Sequence, residues 1–502
     1  MGRITVFSTA TCPHCKRAKA LLASKGWEYS EVSLSDYPER RSAMLQLADR
    51  LSVPQIFFNE KHVGGASDLA ALEERGQLLA WHEEMAAGAQ PADPRLAVPE
   101  HPPPPQPEPP AREPEPAIEL GADGATATYP ELAAQLAAEL DIGDRSYRTR
   151  RYPRCFVGRE AVDVLQRLYG VTSREAAVAL GARLQEAGLF DHVEGDHSFR
   201  DEFLFYRLQA DATPAMLNTC RRWRGAAQAA VPCVKRLKKA LSSILSAHTD
   251  ADGRVDYLAA AGTAEYRAFH EDSCELQAVD YLSLRTEERL AFGVNLYNLM
   301  LLHAFAQLGP PADAALERNS FFNDVGYEVA GQCLSFRDLE HGVLRGNVVP
   351  PGPTFSRPFG SGDPRLAFVI PLDNRIHFGL NCGAASCPPI KDFTAEAIDE
   401  ELRIVAMAFC EQEENVRVDT ESRTLWLSQI FNWYAKDFGP DPKAVGRAVC
   451  GWLRGEKAAA LESLLGGKLH VKHLPYDWST NAKGARVFAE SMGAGSSGCC
   501  IC

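Results

Sequence analysis

The feature that most constrains the fold of this 502-residue chain is a proline-rich segment between Pro91 and Pro116. Twelve of its 26 residues are proline, including the unbroken run Pro102–Pro105. Proline lacks a backbone N–H and fixes φ, so such a segment favours extended polyproline II and cannot bury a core. We expect a spacer over residues 88–128, with docking on an aromatic groove as the alternative.

Charge and apolar patterning exclude several classes of protein. The 53 basic and 66 acidic side chains give a formal net charge of −13, so no nucleic-acid partner is expected. The most apolar stretch, residues 291–308, contains two asparagines and a histidine and does not resemble a membrane helix. The chain starts without an apolar signal core, so we expect a cytoplasmic protein whose 14 cysteines are mostly reduced.

Residues 1–87 alternate between strand and helix patterns. A strand around Ile4 and Val6 is followed by a helix over 13–25, a strand over 27–34 and a helix over 37–50. Residues 55–58 and 61–63 have the pattern of a hairpin, and a single helix over 67–84 closes the unit. This order predicts a small α/β domain.

A Cys-x-x-Cys pair, Cys12 and Cys15, falls at the start of the first predicted helix. The unpaired N–H groups and the dipole of a helix N-terminus favour a thiolate over a thiol. We therefore predict that Cys12 attacks disulfides and that Cys15 resolves the mixed disulfide by exchange. A zinc site would need two further ligands at a matching spacing, so we favour redox chemistry and expect no metal.

The segments STATCPHCKRAKALLASKG and LSVPQIFFNEKHVGGASDL resemble a dithiol glutaredoxin over residues 1–87. The resemblance implies an α/β thioredoxin-like fold, glutathione as co-substrate and protein disulfides as partners. It also implies a cis peptide bond before Pro54, which would turn the Val53 backbone toward glutathione. The residues that the resemblance assigns to the glutathione site are His14, Val53, Pro54, Gly65, Ser67 and Asp68.

Two positions depart from the family's pattern. Thr9 stands where a lysine is common, so one expected contact to a glutathione carboxylate is missing. His14 replaces the aromatic residue often found between the cysteines. An imidazole there would titrate near neutrality and change thiolate reactivity, or it would be a solvent-exposed substitute.

Residues 129–210 carry the blocks DRSYRTRRYPRCFVGREAVDVL, EAAVALGARLQEAGLFDHV and HSFRDEFLFYRL, which resemble a DEP domain. The resemblance implies an α+β, winged-helix-like module that docks on a signalling protein or an anionic membrane. A basic patch would serve this docking; its members are Arg145, Arg148, Arg150, Arg151 and Arg154. The alternative is a solvated loop in which these arginines pair with Asp144 and Glu160.

A basic connector is expected over residues 211–232. The mixed pattern of residues 233–475 then predicts an α+β domain. The segments NLYNLMLLHAF, SFRDLEHGVLRG, RIHFGLNCGAASCPPI and IFNWYAKDF resemble the domain of unknown function numbered 547. We place His377 on a strand over 375–380, and on a straight strand it would face away from Cys382. The candidate residues for a second site in this domain are His303, His341, His377, Cys382 and Cys387.

Three interpretations of this second site stay open: a cysteine hydrolase, a metal site of Cys382, Cys387 and a histidine, and a buried loop with inert thiols.

The tail, residues 476–502, ends in three cysteines, and lipidation of Cys499 or Cys500 would make the protein a peripheral membrane protein. Taken together, the sequence predicts a multidomain, glutathione-dependent thiol–disulfide oxidoreductase linked to a docking module. A redox-sensing signalling scaffold without turnover is the main alternative.

Overall fold

The structure, a computed structural model, describes most of the chain. The described residues are 2–9, 12–34, 37, 40–48, 50, 53–99, 118–120, 126–213, 215–250, 252–312, 315–352, 356–388 and 390–493. Most of the predicted proline-rich spacer lies outside these ranges, as do Cys499 and Cys500.

The described residues form two compact units, and each unit draws on separate parts of the sequence. The first unit comprises residues within 1–110, 245–256 and 373–483. The second comprises residues within 111–244, 257–372 and 484–502. The N-terminal α/β region therefore shares a compact unit with residues 373–483.

The N-terminal region is a four-stranded sheet with helices, as the sequence predicts. Its elements are β1 (Ile4–Ser8), α1 (Pro13–Ser24), β2 (Ser30–Ser33), α2 (Arg40–Ala48), β3 (Gln55–Phe58), β4 (Lys61–Gly64), α3 (Ala66–Glu74) and α4 (Leu78–Ala87). The strand order is β2-β1-β3-β4, with β1 parallel to β2 and antiparallel to β3.

Alternation of side chains in β1 and β3 builds two cores. Val6 packs with Leu22 and Ile56 in one cluster, whereas its neighbour Phe7 packs with Phe57 in the other. Successive residues of a strand point to opposite faces, so the sheet is covered on both sides. This rigid layer fixes the end of β1, from which the chain enters α1.

The prediction of a single helix over 67–84 is wrong. The chain forms two helices, α3 and α4, and Gly76 lies between them with a φ of +66°. A left-handed glycine ends a helix at little steric cost, so the direction changes at this point.

The middle region contains a four-stranded antiparallel sheet and three longer helices. Its elements are β5 (Ile118–Glu119), β6 (Thr126–Ala127), α5 (Tyr129–Glu139), β7 (Gly143–Tyr147), β8 (Arg150–Val157), α6 (Gly158–Tyr169), α7 (Arg174–Glu186), β9 (Phe190–His192), β10 (Phe205–Leu208) and α8 (Gln209–Ala212). The sheet order is β7-β8-β10-β9, and the basic segment forms the β7–β8 hairpin.

The next region is dominated by α12, a helix buried along most of its length. The elements are β11 (Gln228–Ala229), α9 (Ala230–Ala247), β12 (Val255–Asp256), α10 (Tyr257–Ala261), α11 (Ala264–Asp272), β13 (Val279–Asp280), α12 (Thr286–Gln307), α13 (Ala315–Asp324), β14 (Gly326–Val329) and β15 (Gln332–Ser335). A π-helical segment follows at Asp338–Leu344.

The last region combines short helices with a three-stranded sheet of order β16-β17-β18. Its elements are α14 (Ile398–Glu411), β16 (Val416–Asp419), β17 (Thr424–Leu427), α15 (Gln429–Trp433), α16 (Ala435–Phe438), α17 (Pro442–Cys450), α18 (Gly455–Leu465), β18 (His470–His473), β19 (Ala482–Gly484) and α19 (Phe488–Gly493).

The predicted strand over 375–380 is also wrong, because Asn374–Phe378 is a short 3-10 helix. The Asp373 side chain accepts the backbone N–H of Arg375 at 2.9 Å and caps this turn. Such local side-chain bonds compete with strand formation.

In the described part of the chain, every helix is too short or too polar to cross a lipid bilayer.

Candidate functional site

The strongest candidate for a reactive group is Cys12, the N-cap residue of α1. Its Sγ atom accepts the backbone N–H of Cys15 at 3.2 Å, and its own N–H donates to the Thr9 carbonyl at 3.3 Å. Pro13 occupies the first turn, where a helix does not need the missing N–H. The sulfur therefore lies at the positive end of the helix dipole, where an anion is stabilised.

The two thiols of this pair have opposite shifts in pKa. A hydrogen bond from the Cys15 thiol, helped by backbone N–H groups, lowers the pKa of Cys12 to about 6 although burial opposes the shift. The same hydrogen bond to Cys12, followed by burial, raises the pKa of Cys15. Cys12 is half-buried and Cys15 fully buried. Near neutral pH, Cys12 is therefore the thiolate and Cys15 the protonated partner.

A cation missed by the sequence analysis also acts on Cys12. Lys391, which belongs to the same compact unit, is among the causes that lower the pKa of Cys12. Burial and then the charge of Arg41 lower the pKa of Lys391 itself to about 8, against the opposing effect of the two thiols. Lys391 is thus mostly charged at neutral pH. No local sequence signal links it to Cys12, because only the fold brings the two together.

One hydrogen bond and further charges also link other parts of the first unit to α1 and α2. The Lys16 ammonium donates to the Ser246 carbonyl at 3.2 Å. Burial lowers the pKa of Arg41, and the charges of Glu401 and Asp392 oppose that shift. Charges of Lys391, Asp392 and Glu401 therefore act on residues of the N-terminal region.

Val53 and Pro54 lie beside the reactive sulfur. The Sγ atom of Cys12 is 3.5 Å from the Val53 carbonyl oxygen, and the Val53–Pro54 peptide bond is cis, which confirms the expectation. Pro54 is buried and Val53 half-buried. The backbone of this segment thus flanks the thiolate, as an extended peptide ligand would require.

Gly65, Ser67 and Asp68 lie at the start of α3. The Asp68 carboxylate accepts the N–H of Gly65 at 2.8 Å and forms an ion pair with Arg50. Burial raises the pKa of Asp68, but the Gly65 N–H and Arg50 outweigh it and hold the pKa below its usual value. Ser67 is exposed. Arg50, three residues before Val53, is a further basic group here that the sequence analysis missed.

His14 lies on the exposed side of α1. Its Nδ1 atom accepts a hydrogen bond from the Arg17 guanidinium at 2.7 Å. Partial desolvation, followed by the charge of Arg17, lowers the pKa of His14. The ring is therefore neutral at pH 7 and adds no positive charge beside Cys12.

The five arginines of the predicted basic patch lie on the β7–β8 hairpin, and four of them are ion-paired. Arg145 pairs with Asp141 and Glu160, Arg150 with Glu194, Arg151 with Asp144, and Arg154 with Asp211. Arg148 lies at the hairpin tip over the exposed Tyr147 ring, 5.3 Å from its centroid. Much of the patch charge is therefore balanced by local acids.

The three histidines of the second candidate site have separate partners. In the second unit, His303 Nδ1 lies 2.7 Å from the Tyr327 hydroxyl, and His341 Nδ1 accepts from Arg345 at 2.8 Å. In the first unit, His377 Nε2 lies 2.8 Å from an Asp437 carboxylate oxygen. The cysteine-hydrolase and metal hypotheses stay predictions.

Cys382 and Cys387 form a close pair in the first unit. Their Sγ atoms are 2.8 Å apart, and the Tyr476 hydroxyl lies 3.4 Å from Cys382 Sγ and 3.2 Å from Cys387 Sγ. Burial raises the pKa of Cys387, but hydrogen bonds from the Cys382 thiol, Tyr476 and backbone N–H groups outweigh it and lower the pKa to about 7. The hydrogen bond to Cys387 and burial raise the pKa of Cys382.

A set of metal-ligating side chains occurs on the turn after β9. Ligand atoms of His192, Asp196 and His197 lie within 4.8 Å of one another. His192 Nδ1 is already 2.7 Å from the Asp196 carboxylate, and its ring contacts Tyr206 edge-on. These contacts explain the cluster as part of the domain's packing. Within the described ranges, neither Cys382 nor Cys387 belongs to such a group of three.

Comparison with family models confirms the three resemblances. The glutaredoxin model matches residues 4–63. The "Domain found in Dishevelled, Egl-10, and Pleckstrin (DEP)" matches residues 139–208, and the "Protein of unknown function, DUF547" matches residues 281–410. The thioredoxin-like fold and the thiol oxidoreductase character of the N-terminal segment follow from the glutaredoxin match.

Individual relatives match the N-terminal segment. The chain is 42% identical over 78 residues to Glutaredoxin 3 of Escherichia coli strain K12, covering 16% of this chain and 94% of that protein. It is 44% identical over 78 residues to a glutaredoxin of Pseudomonas aeruginosa, covering 16% and 93%. The crystal structure of the buckwheat glutaredoxin-glutathione complex matches with 31% identity, 17% and 81% coverage and a TM-score of 0.16.

Proposed function

This chain belongs to the glutaredoxin family through its N-terminal domain, and from that premise we propose that it is a glutathione-dependent thiol–disulfide oxidoreductase. The observation that carries the proposal is the environment of Cys12, whose Sγ accepts the Cys15 N–H and whose pKa is lowered to about 6. A thiolate that persists below neutral pH is the species that exchange chemistry requires.

The reaction proceeds by two displacements. The Cys12 thiolate attacks one sulfur of a substrate disulfide, the S–S bond breaks, and the other sulfur leaves as a thiolate. The resulting mixed disulfide is resolved by glutathione or by Cys15, whose proton passes to the departing sulfur. Where Cys15 resolves it, two molecules of glutathione then reduce the Cys12–Cys15 disulfide and leave as glutathione disulfide.

Glutathione would bind along the segment that flanks the sulfur. The Val53 backbone lies next to Cys12 and would offer strand-like hydrogen bonds to the ligand. Gly65, Ser67 and Asp68 at the start of α3 would meet the γ-glutamyl end. The ammonium of that end suits the Asp68 carboxylate, whose pKa lies below its usual value.

The test is turnover of a glutathionylated peptide by the full chain, with glutathione, glutathione reductase and NADPH. Cys12→Ser should reduce the rate to background, because a serine hydroxyl cannot form the mixed disulfide. Cys333→Ser, which changes an exposed cysteine, is the matched control and should retain the parent rate. Parent-like turnover by Cys12→Ser would refute the proposal. Absence of turnover in the parent chain would favour the redox-sensing scaffold.

The DEP domain would supply docking, as a winged-helix-like module. The exposed hairpin tip of Tyr147 and Arg148 favours an anionic membrane, since an aromatic ring and a guanidinium suit the lipid interface. Arg148→Ala in the full chain should weaken sedimentation with phosphatidylserine vesicles about fivefold at low salt. Arg167→Ala, which changes an arginine paired with Glu139, is the control. Binding that does not respond to salt or to Arg148→Ala would contradict membrane docking.

A further inference from the structure

A second pair of thiols in the first unit lies close enough to form a disulfide after a small movement. The Sγ atoms of Cys382 and Cys387 are 2.8 Å apart. A disulfide bond measures about 2.05 Å, so closure requires a movement of roughly 0.8 Å. Both residues are half-buried.

The loop that carries these thiols is fixed at both ends. The Asn381 side chain donates to the Pro388 carbonyl at 2.6 Å and accepts the Gly383 N–H at 2.7 Å. The backbone N–H of Ala385 donates to the Ser479 carbonyl at 2.7 Å. Such a loop holds the two sulfurs together in the reduced state. Little conformational freedom of the backbone therefore remains to be lost when the bond forms.

Donors around the pair stabilise a thiolate on one sulfur only. Cys387 Sγ accepts the backbone N–H of Cys382 at 3.2 Å and lies 3.2 Å from the Tyr476 hydroxyl. Burial raises the pKa of Cys387, but a hydrogen bond from the Cys382 thiol, together with these contacts, lowers it to about 7, whereas the pKa of Cys382 is raised. The pair therefore has one reactive sulfur and one protonated sulfur, the division also found at Cys12 and Cys15.

A third close pair shows that proximity alone does not create this chemistry. In the second unit, Cys220 and Cys274 have Sγ atoms 3.4 Å apart, and both residues are buried. The hydrogen bond to Cys274, followed by burial, raises the pKa of Cys220. A buried pair of this kind is inert, because exchange requires an accessible thiolate.

Lys391 connects the second pair with the first. It lies four residues after Cys387, and its charge acts on both Cys12 and Cys15. Arg41, from the N-terminal domain, interacts with Asp392 in the same segment. The segment that follows the second pair thus lies at the redox site of the same compact unit.

We propose that Cys382 and Cys387 form a second, reversible dithiol–disulfide centre, which the Cys12–Cys15 pair of the same chain reduces. This inference rests on the proposed function, since glutathione supplies the electrons through Cys12. Oxidation of the second pair is carried out by a disulfide oxidant such as glutathione disulfide. Cys387 attacks it, and Cys382 then displaces the bound glutathione.

The reducing step balances within the chain. The Cys12 thiolate attacks Cys382 Sγ, and Cys387 leaves because the sulfur with the lower pKa is the better leaving group. Cys15 then attacks Cys12 Sγ, and the proton of Cys15 passes to Cys382. Two electrons have moved, leaving a Cys12–Cys15 disulfide, a Cys382 thiol and a Cys387 thiolate.

The experiment follows the redox state of the second pair in the full chain. The protein is equilibrated in mixtures of glutathione and glutathione disulfide, quenched with an alkylating reagent and digested with trypsin. Residues 376–391 form one tryptic peptide with both cysteines, which carries two labels when reduced and none when oxidised. The peptide 448–454, with Cys450 alone, is the internal control. We expect the first peptide to change state across the mixtures and the control to stay reduced.

A kinetic comparison then tests the route. The oxidised chain is returned to glutathione, and reduction of the second pair is timed in the parent and in Cys12→Ser. We expect at least about a tenfold slower reduction in the variant, because glutathione must then act directly. A pair that stays doubly labelled in every mixture, or equal rates in the two proteins, would overturn the inference. Turnover of the glutathionylated peptide, measured on the same preparation, shows separately whether the proposed function holds.

Discussion

In both thiol pairs of the first unit, a hydrogen bond from the partner thiol does most to lower the pKa of the reactive sulfur, but the further groups that help differ. At Cys12 and Cys15, the thiolate sits at the N-terminus of α1, with Lys391 as an added positive charge. At Cys382 and Cys387, the thiolate is held by a loop N–H and by the Tyr476 hydroxyl. A helix end and a tyrosine-capped loop are thus two solutions to the same problem of stabilising one sulfur of a pair.

Hydrogen-bond donors separate a reactive pair of thiols from an inert one. In both of these pairs one sulfur has its pKa lowered and the other has it raised. In the buried Cys220–Cys274 pair of the second unit, Cys220 has a raised pKa. Proximity of two sulfurs is common to all three pairs, so the hydrogen-bond donors around the sulfurs make the difference.

The largest expected effect is the loss of protein-disulfide reduction when the first pair loses Cys15. Cys15→Ser removes the resolving thiol, so reduction of an intramolecular protein disulfide should fall to background. Turnover of a glutathionylated peptide should persist, because Cys12 and glutathione suffice for it. The two substrates are assayed side by side on the full chain, and thermal unfolding verifies that the variant is folded. Undiminished reduction of the protein disulfide would show that Cys15 does not resolve the intermediate.

A smaller effect is expected when the second pair loses its hydroxyl donor. Tyr476→Phe should raise the pKa of Cys387 from about 7 toward an ordinary thiol, which lowers its alkylation rate at pH 7 about tenfold. Cys12 should be alkylated at the parent rate in the same sample. The rates are read from labelled peptides by mass spectrometry. An unchanged rate at Cys387 would mean that the hydroxyl does not stabilise this thiolate.

A still smaller effect is expected at Lys391, whose charge acts on the first pair. Lys391→Gln should raise the pKa of Cys12, because it removes a positive charge that favours the thiolate. We expect a shift of about half a unit, or about threefold in thiolate fraction below the pKa. Lys391→Arg keeps the charge and is the matched control. If the two variants give the same pKa for Cys12, charge at this position is irrelevant.

A change in stability with pH is also expected. The pKa of Cys12 in the folded chain, about 6, lies below the roughly 8.5 of an unfolded thiol. Its ionised form therefore stabilises the fold above the unfolded pKa, and that contribution is lost as the pH falls through 6. The free energy of unfolding of the parent minus that of Cys12→Ser should rise between pH 6 and pH 9 in denaturant titrations. A flat or falling difference would contradict this linkage.

The N-terminal domain could be predicted from the sequence because its signals are local. The strand and helix patterns, the Cys-x-x-Cys pair and Val53–Pro54 each lie within a few residues of the structure that they specify. The errors were local as well. Gly76 divides the helix predicted over 67–84, and the Asp373 cap forms a short helix where a strand was predicted.

The remaining features of the site depend on contacts between distant parts of the chain. Lys391 acts on Cys12, and Tyr476 reaches the Cys382–Cys387 pair, across separations that no periodic pattern encodes. Residues within 1–110 and 373–483 share a compact unit, although the proline-rich spacer lies between them in the sequence. A sequence pattern predicts burial and local geometry. It does not predict which distant charge or hydroxyl group tertiary folding brings to a site.

The most direct test of the account is the pH dependence of Cys12 alkylation in the full chain. The rate of labelling by iodoacetamide is followed by mass spectrometry between pH 4 and pH 10, with the protein reduced beforehand. A midpoint near pH 6 is expected, since the Cys15 hydrogen bonds and Lys391 favour the thiolate. A midpoint near 8.5, the value of an ordinary thiol, would contradict the account.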